Sequence, residues 1–457
     1  MKKKLLAALL ASAMVITMFA GCGKVDDKTI HLMAFTDEVG KMVQLYLDLH
    51  PELGYTLDET IVATTDGAYQ PALDEKLKSK KDAPDLYALE AAFVLKYTQG
   101  DAAGFAATYD DLGIDTSAKL KEAQIATYAS EIGTRPTDGK VVALPYQATG
   151  GAYIYRRSIA KDVWGTDDPA EVSKKIGGGT QSWDQFWAAA EELKAKGYGI
   201  VSGDGDVWHA IENSSDSAWV VDGKLVIDKK REALLDVSMM LKEKGYSNGT
   251  QDWTDAWYAD MKGEGEQEIF GFFGPAWLIN YTIAPNCGGT AVGEGTYGDW
   301  AVTDSPVGFC WGGTYIASSA NSVKRMSDEK KQVLADIMEW ITLDASTEGL
   351  QYKWANGTED WDKDPKTVTA KDTVASGKVM SVSDGSLEIL GGQNMFDYFV
   401  PAGDYATGAN MTQYDETINS KWRDAVRAYV AGEVDRAGAI KKFKDEVKSV
   451  YADIVVE

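Results

Sequence analysis

Strand and helix patterns alternate along the start of the chain. The segments Thr29 to Phe35, Tyr55 to Thr64 and Leu86 to Leu89 are typical of strands. An acidic turn at Thr36-Asp37-Glu38 opens a helix between the first two strands, and Ala72 to Lys80 predicts another. The first helix has apolar residues at helical spacing: Val39, Met42, Val43, Tyr46 and Leu49. This alternation predicts an α/β layered fold.

Two later helices have clear apolar faces. Ser182-Trp183-Asp184-Gln185 matches a capping box, in which Ser182 and Gln185 satisfy each other's backbone donors, and Gly197 ends the segment. Its apolar face consists of Trp183, Phe186, Trp187, Ala190 and Leu193. Near the end of the chain, Ile440, Phe443, Val447 and Tyr451 line one face of a charged helix that we expect to pack on the body.

The first residues have the pattern of an export signal. Lys2, Lys3 and Lys4 precede an apolar run from Leu5 to Ala20, which is too short to span a bilayer. Phe19-Ala20-Gly21-Cys22 resembles a bacterial lipobox, although Phe19 stands where such motifs usually carry Leu and leaves the cleavage site open. We therefore expect a signal peptide over 1–21, lipidation (palmitate) at Cys22, a linker over 22–28, and a protein anchored at the extracellular face of the cell membrane.

Composition narrows the classes of partner. The formal net charge is −24, and removal of the signal takes away three further lysines, so nucleic acid and anionic lipid are disfavoured and a neutral ligand fits better. The 457 residues suffice for more than one lobe. The two remaining cysteines, Cys287 and Cys310, are either a disulfide or two buried thiols.

Catalytic and metal motifs are weak in this sequence. The three histidines, His31, His50 and His209, lie far apart and support neither a metal site nor a histidine-based triad. We expect no cofactor, no metal and no catalytic residue. A carboxylate pair of the glycosidase kind stays open, because acidic residues are abundant and their spacing in space is invisible in the sequence.

The tryptophans carry the positive signal. All 14 lie between Trp164 and Trp422, and several stand beside Gly or Pro, as in Gly274-Pro275-Ala276-Trp277 and Cys310-Trp311-Gly312-Gly313. A flat ring can cover the apolar face of a sugar while polar groups bond its rim. For each of these tryptophans, packing in the core is the alternative.

The order of motifs resembles extracellular solute-binding protein family 1, the sugar-binding lipoproteins of bacterial ABC importers. The resemblance covers nearly the whole mature chain. It rests on Met33 to Glu38, Lys81 to Leu86, Gly139 to Tyr146 running into Tyr153 to Arg157, Trp183 to Phe186, Gly274 to Trp277, and Trp311 to Ala317.

This resemblance implies a two-lobed, periplasmic-binding-protein-like fold (type II) with the ligand cleft between the lobes and hinge closure on binding. The implied crossings lie near Gln147 to Gly150, Val307 to Trp311 and Leu343 to Ser346. The N-terminal lobe then comprises 29–147 and 309–343, and the C-terminal lobe comprises 148–308 and 344–457.

The resemblance also implies which residues contact the ligand. Asp37 either accepts hydrogen bonds from sugar hydroxyls or caps a helix, and Glu90 either faces the cleft or lies in a solvated loop. Trp277 and Trp311 are the strongest stacking candidates. The full predicted set is Phe35, Thr36, Asp37, Tyr69, Glu90, Tyr146, Thr149, Trp208, Trp253, Trp277, Trp311, Gly312 and Gly313.

The function that follows is a monomeric, lipid-anchored binding protein that delivers a neutral mono- or oligosaccharide to the permease subunits of an ABC transporter, without catalysis. Three alternatives stay open: a surface-anchored glycan-degrading enzyme, a surface adhesion or sensor protein, and a binder of a non-sugar solute such as a peptide or polyamine.

Overall fold

The computed structural model describes residues 28–357 and 371–457. The predicted signal peptide, Cys22 and the linker as far as residue 27 lie outside the described residues. Within the described ranges, no helix combines the length and the apolar character needed to cross a membrane.

The strands of the described residues form two main sheets and two short ribbons. Their bounds are β1 Thr29–Ala34, β2 Thr56–Ile61, β3 Leu86–Glu90, β4 Thr134–Arg135, β5 Lys140–Val141, β6 Ala143–Pro145, β7 Ala152–Arg156, β8 Val220–Val221, β9 Lys224–Leu225, β10 Gly271–Gly274, β11 Trp300–Thr303 and β12 Thr314–Ser318.

Helices separate these strands and cover both main sheets. Their bounds are α1 Glu38–Leu49, α2 Tyr69–Lys78, α3 Val94–Thr98, α4 Thr116–Ala123, α5 Thr127–Gly133, α6 Arg157–Trp164, α7 Pro169–Ile176, α8 Asp184–Ala195, α9 Asp204–Asn213, α10 Lys229–Glu232, α11 Leu234–Lys244, α12 Asp255–Lys262, α13 Ala276–Leu278, α14 Ala284–Asn286, α15 Ala320–Val323, α16 Asp328–Thr342, α17 Leu350–Asn356, α18 Gly377–Ser381, α19 Phe396–Tyr405, α20 Asp415–Ala431 and α21 Arg436–Val450.

The first sheet has the order β2-β1-β3-β12-β6. Strands β1, β2 and β3 run parallel, and β12 runs antiparallel to both β3 and β6, with Thr314 opposite Glu90. Leu86 to Leu89 are all buried because helices cover both faces of the sheet, as is usual for parallel strands. The carboxyl ends of β1, β2 and β3 therefore meet at one edge of this sheet.

The second sheet has the order β10-β7-β11, and both outer strands run antiparallel to β7. The chain passes from the first sheet to the second between Pro145 and Ala152, and it returns between Thr303 and Thr314. These two passages contain two of the crossings that the resemblance implies. The exact lobe boundaries, and the third crossing near residues 343–346, stay predictions.

Aromatic side chains fill much of the core around each sheet. Beside the first sheet, Tyr46 of α1 packs edge-on against Trp340 of α16 at 5.4 Å between ring centroids. Beside the second sheet, Phe273 lies 4.9 Å from Tyr153 and 5.3 Å from Phe186 of α8. Burial of these large apolar rings contributes to the stability of each half of the fold.

The sequence-based elements at the start of the chain are confirmed, with boundaries that differ by a few residues. The capping box at Ser182 is wrong. Trp183 occupies the N-cap of α8 with helical backbone angles (φ −87°, ψ −6°) and makes no side-chain capping bond. The Ser182 hydroxyl accepts only from the Asp184 N–H, at 3.2 Å. Phe186, Ala190 and Leu193 of the predicted apolar face are still buried, since burial does not depend on the cap, whereas Trp183 and Trp187 are half-buried.

The return passage has no room for a side chain at Gly308. A Cβ there would lie 2.1 Å from the carbonyl oxygen of Tyr405, at the end of α19. Because a backbone atom blocks the position, we expect Gly308→Ala to lower the free energy of unfolding by about 1–3 kcal/mol. Gly104→Ala is the matched control, since a Cβ at Gly104 meets no atom within 4 Å. Urea unfolding measures both variants, and equal losses would contradict the close approach.

Candidate functional site

The two passages between the sheets run side by side and are bonded to each other. Trp311 N–H donates to the Thr149 carbonyl at 3.1 Å, and Gly151 N–H donates to the Phe309 carbonyl at 2.8 Å. Thr149 is buried, and its hydroxyl donates to the Gly312 carbonyl at 3.1 Å. The polar groups of Thr149 thus hold the passages together. The sequence predicts that Thr149 contacts the ligand. In the structure its hydroxyl and carbonyl groups bond to the backbone of the return passage instead.

Gly312 and Gly313 form the turn that brings two tryptophans together. Their φ angles are +74° and +105°, values that side-chain-bearing residues rarely adopt. The turn leaves the Trp311 carbonyl free to accept from Trp277 Nε1 at 3.0 Å. The glycines therefore fix the position of Trp311, and a Cβ at Gly312 would lie only 3.3 Å from Trp277 Nε1.

Four rings form an aromatic cluster, defined as His209, Trp253, Trp277 and Trp311. Trp311 packs edge-on against Trp277 at 4.8 Å and against Trp253 at 5.7 Å between centroids. His209 stacks on Trp311 at 4.4 Å and 23°. Trp277 and Trp311 are half-buried, whereas Trp253 is 50% exposed. The cluster offers an apolar surface with polar edges, which suits the face of a sugar ring.

Trp253 has a backbone conformation that costs energy. Its φ is +66°, which is an outlier for a bulky residue. Asp252, on one side, forms two hydrogen bonds with Arg423 of α20. Thr254, on the other side, caps α12 by accepting from Trp257 N–H. Strained residues cost about 1–3 kcal/mol and cluster at binding sites, so the exposed Trp253 ring is a functional candidate in its own right.

A cavity of about 290 Å³ opens beside the aromatic cluster. Its walls come from the end of β3, from α3, from α9, from the return passage and from α20 between Asp415 and Arg427. Four of the predicted residues line it: Glu90, Trp208, Trp311 and Gly312. The cavity therefore lies between an element of the first sheet and helices, α9 and α20, that come later in the chain than the second sheet's first strand, β7.

Two carboxylates of this cavity, those of Glu90 and Asp415, are held in a poorly solvated environment. Burial raises the pKa of Glu90 to about 7, with a further contribution from the charge of Glu416. Burial likewise raises the pKa of Asp415 to about 7, and the charge of Glu212 adds to this. Near neutral pH both groups can either donate or accept a hydrogen bond, which is useful for binding hydroxyl groups.

The raised pKa of Glu90 predicts a pH-dependent stability. Folding favours the protonated form, so this stabilising contribution is complete below the ordinary pKa of 4.5 and is lost as the pH rises through about 7. We expect Glu90→Gln to match the wild type in acid and to become relatively more stable above neutral pH. Thermal unfolding across this range measures the difference. A constant difference at every pH would contradict the raised pKa.

The three predicted residues after β1 lie at the same sheet edge as Glu90. Phe35 is half-buried against Tyr69, with 5.5 Å between ring centroids. Thr36 and Asp37 are exposed. Asp37 occupies the N-cap of α1 without a side-chain capping bond, and it pairs with Lys41 at 3.1 Å instead. The helix-capping alternative for Asp37 is therefore wrong, and its exposed carboxylate stays a candidate ligand contact.

The structure places three other candidates in the core. Tyr69 is 1% exposed, and its hydroxyl lies 2.6 Å from the Ala88 carbonyl oxygen and 3.0 Å from that of Met33. Tyr146 is buried against Trp354, and its hydroxyl donates to the Glu38 carboxylate. Trp208 reaches the cavity wall with only 2% of its surface exposed. The hydroxyl groups of Tyr69 and Tyr146 are already bonded inside the core, and neither residue lines the cavity.

Sequence reasoning missed His209, Asp415 and Glu416. Adjacent residues on a helix point about 100° apart, so Trp208 points from α9 into the protein core while His209 reaches the aromatic cluster. The spacing of apolar residues along α9 could have shown that Trp208 points into the core and His209 points away from it. Asp415 and Glu416 begin α20, where acidic residues are expected for the helix dipole alone. No local signal distinguishes them.

Both cysteines of the described residues are free thiols. Cys287 and Cys310 are buried and unbonded to each other. The Cys310 sulfur lies 3.2 Å from Asn213 Oδ1, and the Cys287 sulfur lies 3.2 Å from the Ala284 carbonyl oxygen. The disulfide alternative is therefore wrong. Among the described residues, no group of three His, Cys, Asp or Glu side chains could hold a metal ion.

Comparisons with known proteins give a fold and no sequence relative. No protein-family model and no curated protein matches the chain. Its structure is similar to that of an extracellular solute-binding protein family 1 protein, with TM-score 0.72, 19% identity, and coverage of 92% of this chain and 99% of that one.

Two named sugar-binding proteins have the same architecture. The sugar-binding protein MalE from Xanthomonas citri matches with TM-score 0.64 and 13% identity, over 93% of this chain and 97% of that one. The galacto-N-biose/lacto-N-biose I-binding protein of an ABC transporter from Bifidobacterium longum, in complex with lacto-N-biose, matches with TM-score 0.60 and 16% identity, over 94% and 98%. The predicted resemblance is thereby confirmed at the level of architecture, and the chain has the two-lobed α/β fold of these solute-binding proteins.

Proposed function

We propose that the protein is the substrate-binding component of an ABC importer. In the cleft between its lobes it binds a mono- or oligosaccharide, and this sugar carries no acidic group. The observation that carries this proposal is the aromatic cluster at the crossing. It adjoins a cavity whose carboxylates come from β3 on one side and from α9 and α20 on the other. Aromatic faces and carboxylates together match the apolar face and hydroxyl rim of a sugar. The lacto-N-biose complex of a protein with this fold supports the same class of ligand.

Binding is coupled to closure because the contacts come from elements of both lobes. A sugar held by Glu90 on one side and by the α9 and α20 walls on the other binds the closed form more tightly than the open form. The ligand then shifts the population toward the closed form, which the permease subunits recognise. This function needs no chemical step, and the protein acts as a monomer.

Calorimetric titration of the purified protein with a panel of mono- and oligosaccharides tests the proposal. We expect at least one member to bind in the micromolar range. Glucuronic and galacturonic acid are the negative controls, since their carboxylates meet the acidic cavity. No binding tighter than millimolar across the panel would contradict the proposal. Release of reducing ends from the panel would favour a glycan-degrading enzyme instead.

We further propose that Cys22 carries the lipid anchor and that residues 1–21 are removed. The support is the basic and apolar pattern that ends at Phe19-Ala20-Gly21-Cys22. Two or more acyl chains give stable anchoring, whereas one gives reversible binding. Mass spectrometry of the protein from bacterial membranes is expected to find an acylated Cys22 as the first residue. An unmodified N-terminus, or one at another position, would contradict this anchor.

A further inference from the structure

The cavity beside the aromatic cluster has more negative charge than its neighbours neutralise. Four carboxylates line it: Glu90, Glu212, Asp415 and Glu416. The two arginines in the same wall are already engaged. Arg423 is bonded to both oxygens of Asp252, and Arg427 is bonded to Asp424. Neither guanidinium is available as a full counter-charge for the cavity.

Glu212 is the best satisfied of the four carboxylates. Its oxygens accept from Asn419 Nδ2 and lie 3.4 Å from His209 Nδ1. The charge of the buried Arg231 guanidinium attracts both Glu212 and Asp415, and its Nε makes no hydrogen bond within the described residues. The Glu416 carboxylate has a hydrogen bond from Gln70, which is a neutral partner. Glu90 accepts from the Ala92 N–H at 2.9 Å, which is also neutral.

Asp415 shows most directly that a partner is missing. The residue is 5% exposed, and it lines the cavity. One carboxylate oxygen accepts from the Thr412 hydroxyl, while Oδ2 is buried and makes no hydrogen bond within the described residues. A buried carboxylate oxygen without a partner costs free energy that a bound donor would recover. A cationic donor recovers more than a neutral one.

We infer that the cavity is a subsite for a protonated primary amine on the bound sugar, held between Asp415, Glu90 and Glu416. This inference rests on the proposed function, since the ring that carries the amine contacts the aromatic cluster beside the cavity. An ammonium group has three donors and no acceptor, which matches a wall with spare acceptors, since the buried cation beside them, Arg231, is shared by Glu212 and Asp415. The overall charge disfavours an anionic ligand and favours a neutral one. The positions of these carboxylates change that preference to a sugar that carries an amine.

Matched pairs of sugars test the subsite. The pairs are glucosamine and glucose, galactosamine and galactose, and the β-1,4-linked glucosamine disaccharide and cellobiose, each titrated at neutral pH. We expect the amine-bearing member of at least one pair to bind about tenfold or more tightly than its neutral partner. Asp415→Asn and Glu90→Gln are each expected to reduce that ratio severalfold. The control Glu433→Gln removes an exposed carboxylate outside the cavity and is expected to leave the ratio unchanged.

The outcomes separate this inference from the proposed function. Equal binding within every pair, or an amine preference that survives both carboxylate variants, would overturn the amine subsite and leave sugar binding intact. If no sugar of either kind binds, the proposed function itself fails. Asp415 also begins α20, so Glu90→Gln decides the matter if Asp415→Asn does not fold.

Discussion

Replacement of Trp311 by alanine is expected to weaken sugar binding by at least about 2 kcal/mol, or roughly 30-fold, as is typical of a central aromatic anchor. The Trp311 ring contacts Trp253, Trp277 and His209, so it connects all parts of the aromatic cluster. Its loss removes a contact surface and also releases the neighbouring rings. Titration calorimetry with the best-binding sugar of the panel measures the effect.

Trp164→Ala is the matched control for this variant. Trp164 is also half-buried, but it packs on Phe270 at 5.2 Å and donates to Glu192, and neither of these partners lines the cavity. We expect it to bind sugar like the wild type. Circular dichroism confirms that both variants are folded. Equal sugar affinities for Trp311→Ala and the wild type would show that the aromatic cluster is not part of the sugar-binding site.

Replacement of Lys330 by methionine is expected to destabilise the protein by about 3–5 kcal/mol, because it leaves a buried carboxylate without its counter-charge. Lys330 Nζ lies 2.9 Å from Asp85 Oδ2, and the two side chains are 4% and 2% exposed. Asp85 also accepts from the His31 N–H at 2.9 Å and from the Ser322 hydroxyl, and so it links several elements around the first sheet. Methionine keeps the apolar stem and removes the charge.

Urea unfolding measures this loss against an exposed pair. Lys441 and Asp445 form an i,i+4 pair on α21 with side chains 75% and 64% exposed. Lys441→Met is expected to change the free energy of unfolding by less than about 1 kcal/mol, as for other surface pairs. A similarly small change for Lys330→Met would show that the buried pair contributes little.

The alternation of strands and helices could be predicted because burial imposes a period on the sequence. β1, α1, β2 and β3 follow directly from such patterns. The predicted capping box at Ser182 is wrong because the N-cap falls on Trp183. Which residue becomes the N-cap depends on backbone angles, and the apolar pattern does not determine them. Periodicity therefore predicts what is buried more reliably than where an element begins.

The candidate site could be predicted only in part. The glycines beside Trp311 and Trp277 marked a tight turn, and the structure brings these two rings together. The sequence could not show that Asp252 reaches Arg423, which lies 171 positions away and holds the residue next to Trp253 in place. Nor could it separate Tyr69, whose hydroxyl is bonded inside the core, from an exposed aromatic residue. Such assignments depend on long-range packing.

The proposed sugar site lies between the two lobes, and the bound sugar is expected to contact both. A crystal structure of the protein with the tightest-binding sugar of the panel tests whether it does. We expect density for one sugar ring against Trp253 or Trp311, with polar contacts to Glu90 on one side and to α9 or α20 on the other. Density for the sugar elsewhere on the surface, with this cavity empty, would contradict the account.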